Sequence, residues 1–156
     1  MAVARVHVRS WQIAYRTLLP QGYLDQLRPE DRARMYDFAT TDPAKPHTLV
    51  AVEDGTILGF ATTCPSRDAD LPQHGELCAL YVDPDHWQRQ IGRDLVLAAR
   101  ERLSQFGFKN ALLWTLAGNL RADRFYQIDG WKPDGTKRSQ TLMGVPTNEL
   151  RYQRAL

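Results

Sequence analysis

The run Leu80-Tyr81-Val82-Asp83-Pro84-Asp85-His86-Trp87-Gln88-Arg89-Gln90-Ile91-Gly92-Arg93 sets an apolar strand, a proline-marked stop, a short polar loop and one glycine ahead of an amphipathic helix. Backbone N–H groups in the first turn of a helix lack intrahelical partners, and the helix dipole adds partial positive charge there. A turn around Gly92 therefore suits a phosphate, and the chemistry it implies is the binding of a nucleotide-like cofactor. The same run also fits a plain tight turn in which Gly92 serves geometry alone. The rest of the chain has to decide between the two.

The elements that position this loop follow from the periodicity. Val3, Val6, Trp11, Ala14, Tyr15 and Leu18 keep helical spacing until Pro20, which predicts a first helix over 3–18. Pro29 suits a first helical position and Glu30 and Asp31 suit the positive end of its dipole, so a second helix is expected over 29–39, with Thr40 to Pro46 as loop. The runs Thr48 to Val52 and Thr56 to Thr63 flank Glu53-Asp54-Gly55 and read as a hairpin. Ser66 to His74 reads as loop. Glu76 to Val82 is apolar on both faces and belongs in the sheet centre. A helix from about Gly92 to Phe106, capped by Gly107, leads into a buried strand at Ala111 to Leu116. A short helix over 120–128 ending near Gly130, and strands at Trp131 to Pro133, Thr136 to Met143 and Leu150 to Arg154, complete the pattern.

Composition sets the outer bounds. The 156 residues, 43% hydrophobic and 24% charged, fit one domain spanning residues 1–156 with an ordinary core. No apolar run approaches the ~20 residues of a membrane span, and the segment Met1 to Arg9 lacks the apolar stretch of a secretory signal, so no membrane partner and a cytoplasmic location are expected. A net charge of +2 with no basic block argues against nucleic acid. Cys64 and Cys78 lie in apolar runs without CxxC spacing or a local His, so they read as buried free thiols, with no metal site, redox pair or covalent acyl-enzyme.

The helix after Gly92, the second apolar strand, Asn119, and the stretch Arg124-Phe125-Tyr126-Gln127-Ile128-Asp129-Gly130-Trp131 together resemble the Gcn5-related N-acetyltransferase (GNAT) superfamily. The resemblance covers roughly the whole chain and is strongest from Glu76 to Trp131. It implies an α/β (α+β) fold of three layers, with a mostly antiparallel, partly splayed sheet and helices on both faces. It implies acetyl-CoA as cosubstrate, its pyrophosphate cradled by backbone amides of the loop that contains Gln88, Arg89, Gln90, Gly92 and Arg93. Gln90 stands where the family prefers glycine and Trp87 where Gln or Arg is usual; amides do not need glycine provided that Gln90 avoids positive φ.

The resemblance also implies that the strands 76–82 and 111–116 splay and that main-chain groups of Leu80 and Val82 hold the pantetheine arm, roles compatible with plain sheet core. Asn119 resembles a pantetheine-binding residue and equally suits a helix N-cap. Tyr126 matches the tyrosine that protonates the departing thiolate, or is a packed aromatic with a satisfied hydroxyl. An alkylamine of pKa about 10.4 is protonated at neutral pH, so a base or a water wire is needed, and Glu76 matches a position where many relatives carry a catalytic or substrate-orienting glutamate. A solvated strand-end carboxylate is the other reading of Glu76. His74 and Tyr81 are weaker candidates, and His86 reads as a surface residue. Trp11, Tyr15, Tyr23 and Tyr81 could line the acceptor pocket or serve as core, and Asp68 and Asp70 could attract a cationic amine or be solvated.

Relatives begin with a strand that this chain lacks, since it starts almost inside its first helix. Either that strand is missing, leaving the next as an exposed edge, or the start lies downstream of the true one. A homodimer, with Glu149 to Tyr152 as a contact strand, follows from the family analogy. The expected activity is N-acyl transfer from acetyl-CoA to a small-molecule or peptide primary amine, by direct attack in a ternary complex. The alternatives are a CoA-binding sensor or interaction module without catalysis, and an unrelated nucleotide-binding protein; the latter lacks both a P-loop and a GxGxxG fingerprint.

Overall fold

The computed structural model of the chain describes residues 1–142 and 144–156. The described elements run α1 (Ala2–Ala14), α2 (Gln21–Gln26), α3 (Pro29–Ala33), β1 (His47–Glu53), β2 (Thr56–Pro65), β3 (Gly75–Val82), α4 (Ile91–Gln105), β4 (Asn110–Leu116), α5 (Leu120–Ile128), β5 (Lys132–Leu142) and β6 (Val145–Ala155), with a 3₁₀ turn at Pro84–His86. They form one sheet in the order β1-β2-β3-β4-β6-β5, antiparallel at every neighbour pair except β3 and β4. Asp54 and Gly55 both adopt positive φ, 48° and 76°, which is what a two-residue turn between twisted strands requires.

The break in the sheet is its functional feature. Pairing of β3 with β4 ends at Leu77 opposite Leu113, while β3 stays on β2 up to Val82 and β4 stays on β6 through Leu116. The two strands therefore part into a V beyond Leu77. On one face α4 packs Leu95, Val96, Ala99 and Leu103 against Leu77, Val82, Ala111 and Leu113, joined by Tyr126, Trp131 and Tyr152. On the other face Trp11, Tyr15, Leu19 and Leu24 cover Leu116, and Val3 and Val6 cover Phe60. Helices on both faces of a mostly antiparallel, splayed sheet are the expected three layers.

Several expectations change in detail. The first helix ends at Ala14, and α2 occupies a stretch for which no helix was expected. The second expected helix is only α3, five residues long. The strands expected at Trp131 to Pro133 and Thr136 to Met143 are one strand, β5, whose register shifts between Pro133 and Lys137; Met143 lies outside the described residues. The strand expected at the C-terminal end is longer and pairs on both sides, with β4 and β5, so Glu149 to Tyr152 offers no free edge for a dimer contact. β1 is one edge of the sheet. No described helix is long and apolar enough to cross a membrane.

Candidate active site

The V between β3 and β4 opens a cavity of about 390 Å³. Asp83 N–H donates to Leu58 O across β2 at 2.7 Å, and strand alternation then turns the main-chain groups of Leu80 and Val82 away from β2, toward the gap. With β4 moved off, those groups are free of sheet partners, but not all are free. The Val82 carbonyl accepts from Ser10 Oγ at 3.0 Å and from Trp87 Nε1 at 2.8 Å. Both its lone pairs are engaged, so of the two Val82 main-chain groups expected to hold pantetheine only the N–H is available.

At one end the cavity is lined by Trp87, Gln88, Gln90, Ile91, Gly92 and Arg93. Asp83 caps the 3₁₀ turn, accepting from Asp85 N at 3.0 Å, and Arg9 ties the turn to α1 through Asp83 at 2.7 Å and Asp85 at 2.6 Å. The loop then passes through two left-handed residues, Gln88 at φ 65° and Gln90 at φ 64°. Gln90 is the N-cap of α4 and makes no side-chain cap bond, which leaves the first-turn N–H groups of α4 for a ligand. Gln90 does not meet the condition of avoiding positive φ: the conformation a glycine would take there is taken by Gln. Gly92, in contrast, sits inside α4 without positive φ, and a Cβ on it would meet Phe125 at 3.5 Å in ordinary contact. Arg93 lines the cavity, whereas Arg89 does not; its guanidinium is held by Glu53 at 2.7 Å and His86 Nδ1 at 2.9 Å.

The opposite wall comes from β4 and α5. Asn119 Oδ1 accepts from Ala122 N at 3.2 Å, so it is the N-cap of α5, and its residue still lines the cavity. Of the two readings of Asn119, the N-cap is the one its side-chain bond displays. Tyr126 is buried, lines the cavity and has no hydrogen-bond partner among the described residues. Burial, with smaller contributions from Tyr81 and Asp129, pushes its phenol well above the usual 10, so it holds its proton. Arg121, which sequence reasoning passed over, lines the same wall with its guanidinium 3.3 Å from the centre of the Trp87 ring. The available hint was an Arg two residues into a helix that begins at a candidate ligand residue.

Toward α1 the lining includes Ser10, Tyr15, Tyr81, Trp114 and Thr115. The Tyr15 and Tyr81 hydroxyls are 3.4 Å apart, and burial raises both above the ordinary phenol value. Trp11 is not in the lining; it packs edge-on against Tyr15 and beneath Arg32, as core. Tyr23 is likewise part of that cluster and outside the cavity. Asp68 and Asp70 are bound to buried Arg151 at 3.0 and 2.8 Å, and Asp68 also accepts from Trp114 Nε1 at 3.1 Å, so they brace the Trp114 wall.

Glu76 lies outside the cavity. It lies in the paired stretch of β3, opposite Leu112 and before the V opens, and is 2% exposed. Its Oε2 accepts from Arg67 N and Nε at 3.1 Å each, and Arg67 Nη2 takes Oε1. The carboxylate is committed to closing the 66–74 loop, so it is not the solvated strand-end carboxylate of the other reading. Beside it the two thiols meet: Cys64 and Cys78 have Sγ atoms 2.7 Å apart, because Cys78 is the extra residue where the β2–β3 register shifts. With a Glu76 oxygen they form a group within 4.8 Å, but that carboxylate already serves Arg67. No carboxylate lines the cavity among the described residues.

The sequence matches the model of the Acetyltransferase (GNAT) family over residues 8–131. It is 30% identical to the Uncharacterized N-acetyltransferase YuaI of Bacillus subtilis (strain 168), over 92% of this chain and 86% of that protein. It is 27% identical to the spermidine N(1)-acetyltransferase of Thermoplasma acidophilum, over 61% of this chain and 56% of that protein. Among solved structures, the PaiA N-acetyltransferase of Thermoplasma acidophilum in complex with coenzyme A superposes with a TM-score of 0.69 at 19% identity, over 99% of this chain and 91% of that one. A GCN5-related N-acetyltransferase from Kribbella flavida superposes with a TM-score of 0.73 at 19% identity, over 99% and 90%.

Proposed function

Given that the chain belongs to the GNAT acetyltransferase family and is an N-acyltransferase, we propose that it moves an acetyl group from acetyl-CoA to a primary amine by direct attack in a ternary complex. The observation that carries this reading is one continuous cavity, bounded by the α4 N-terminus at one end and by the Tyr126 hydroxyl and the Tyr15–Tyr81 pair toward the other. Bound acetyl-CoA would supply an activated acyl group as a thioester. The residues that would hold it are the first-turn amides around Gln90, Gly92 and Arg93, the gap-facing groups of Leu80, the Val82 N–H, and Asn119. The unpaired main chain of β3 beyond Leu77 is the fit for an extended arm.

Tyr126 donates its proton to the sulfur as the C–S bond breaks, a role suited to a phenol kept protonated by burial. The attacking amine must be neutral. Among the described residues no carboxylate lines the cavity, and Tyr15 and Tyr81 are held protonated, so the proton of the ammonium leaves through water or through His86, the imidazole of the lining. Tyr15, Tyr81 and Trp114 form the acceptor end. The acceptor is a small-molecule or peptide amine, and action as one domain in the cytoplasm, alone or as a homodimer, belongs to the same proposal.

The lack of a lining carboxylate is also the observation that favours a CoA-binding module without catalysis. Thiol release from acetyl-CoA across a panel of polyamines, amino acids and peptides separates the two. Amine-dependent release that falls in Tyr126→Phe supports transfer; tight CoA binding with no release across the panel supports the module.

A further inference from the structure

We propose that Arg121, laid on the indole of Trp87, is a phosphate ligand for the cofactor and sets its affinity. The inference rests on the reading that CoA occupies the gap. Arg121 stands at the second position of α5 and faces the same cavity as Gln88, Gln90 and Arg93. Its guanidinium carbon is 3.3 Å from the Trp87 ring centre, a stacking distance. Trp87 is not a loose platform, because its Nε1 donates to Val82 O at 2.8 Å and so pins the ring to the end of β3. A guanidinium stacked on a ring keeps its edge N–H groups clear of that ring, the arrangement that binds phosphate in a bidentate manner.

Arg121 has no anionic partner to hold it otherwise. Among the described residues eight arginines pair with carboxylates, Arg89 of the adjacent loop among them, but Arg121 makes no ion pair or hydrogen bond. A cation ordered by stacking, beside a cavity bounded by free helix N–H groups, lacks only its anion. Arg121 brings a cation onto Trp87 from the opposite wall of the cavity.

The test is isothermal titration of the full chain with CoA, 3′-dephospho-CoA and pantetheine, using Arg121→Ala, Arg121→Lys and, as a control, Arg124→Ala on the same helix. Loss of a charge-assisted hydrogen-bonded partner predicts CoA binding weaker by about tenfold or more in Arg121→Ala. Arg121→Lys, which keeps charge but not the stacked fork, falls between, and Arg124→Ala stays at the wild-type value. Pantetheine, which has no phosphate, binds Arg121→Ala and wild type alike. A penalty that disappears with 3′-dephospho-CoA assigns the ligand to the 3′-phosphate; one that persists there assigns it to the pyrophosphate. Arg121→Ala within twofold of wild type for CoA, or equally weakened for pantetheine, overturns the proposal. Wild-type protein that fails to bind CoA overturns the cofactor reading itself.

Discussion

Replacing Gln90 by glycine should stabilise the protein, although the same change at an ordinary loop residue would weaken it. Gln90 sits at φ 64°, ψ −6°, caps α4 without a side-chain bond, and is exposed. A left-handed residue with a Cβ costs about 1–2 kcal/mol, all of which glycine avoids. Against this, glycine loosens the unfolded chain by roughly 0.4–1 kcal/mol. The difference leaves a net gain of about 0.5–1 kcal/mol, or about 2 °C in Tm for a domain of this length. Gln90→Ala retains the Cβ and hence the strain, so its Tm should stay near wild type. Thermal unfolding of the three proteins side by side reads the sign. Titration with CoA should show that Gln90→Gly binds at least as tightly, because only a side chain lining the phosphate end is removed. A Tm that falls in Gln90→Gly while Gln90→Ala is unchanged would refute the left-handed cap, and with it the geometry assigned to the cradle.

Tyr126→Phe should lower kcat by about a hundredfold or more with little change in KM for acetyl-CoA, measured by thiol release. Because burial holds the phenol above its ordinary value, the wild-type rate should carry no alkaline limb from Tyr126 up to pH 10, and its acid limb should follow the acceptor amine's own pKa, moving when the amine is changed. A limb fixed near pH 4–6 for every amine would point to a protein carboxylate instead. Glu76→Gln should cost stability, about 1–3 kcal/mol for a buried carboxylate whose Arg67 bonds are weakened, yet leave kcat within about threefold; a larger loss of kcat with an unchanged Tm would restore Glu76 as the base. His7 is buried, with its pKa lowered to about 3 chiefly by burial and next by Arg32. The unfolded chain therefore binds a proton there below about pH 6.5 that the folded chain refuses, so stability falls as pH drops from there toward 3. In His7→Leu the acid slope of the unfolding free energy should be shallower by up to about 1.4 kcal/mol per pH unit, read by urea unfolding at several pH values.

What could be read in the chain was whatever is local. Asp54-Gly55 marks its hairpin because a two-residue turn needs positive φ at both positions, and Asn119 marks α5 because its side chain caps the residue three ahead. The apolar runs of β3 and β4 announce a buried pair, and the parting of the two strands came from resemblance. What could not be read depends on partners distant in sequence or on conformations without a residue signature. α2 is six residues long with only Leu24 buried, too short for periodicity to register. Glu76 looks like a free strand-end carboxylate until the preceding loop folds Arg67 back onto it. Cys64 and Cys78 look unrelated until one residue of register shift puts their sulfurs together. Glutamine carries no sign of a left-handed backbone, so the strain in the cradle falls at Gln88 and Gln90 while the glycine that draws the eye lies in regular helix.

Trp87 shows how these departures fit together. Parting two strands in the middle of a sheet strips main-chain groups of their partners, and buried unpaired carbonyls are costly. The Val82 carbonyl, at the point where the gap is widest in register terms, is satisfied from two directions: by buried Ser10 on α1 and by the Trp87 indole. The V can therefore stay open without a ligand, and what it presents is biased toward donors: the Val82 N–H, the first amides of α4, and the guanidinium stacked on the same indole. A Gln or Arg at position 87 could reach a phosphate directly but could not both cap Val82 and carry a stacked cation. Trp87 ties the Val82 carbonyl and Arg121 to one ring, which is why the loss of Arg121 should be felt at the phosphates although it lies outside the loop.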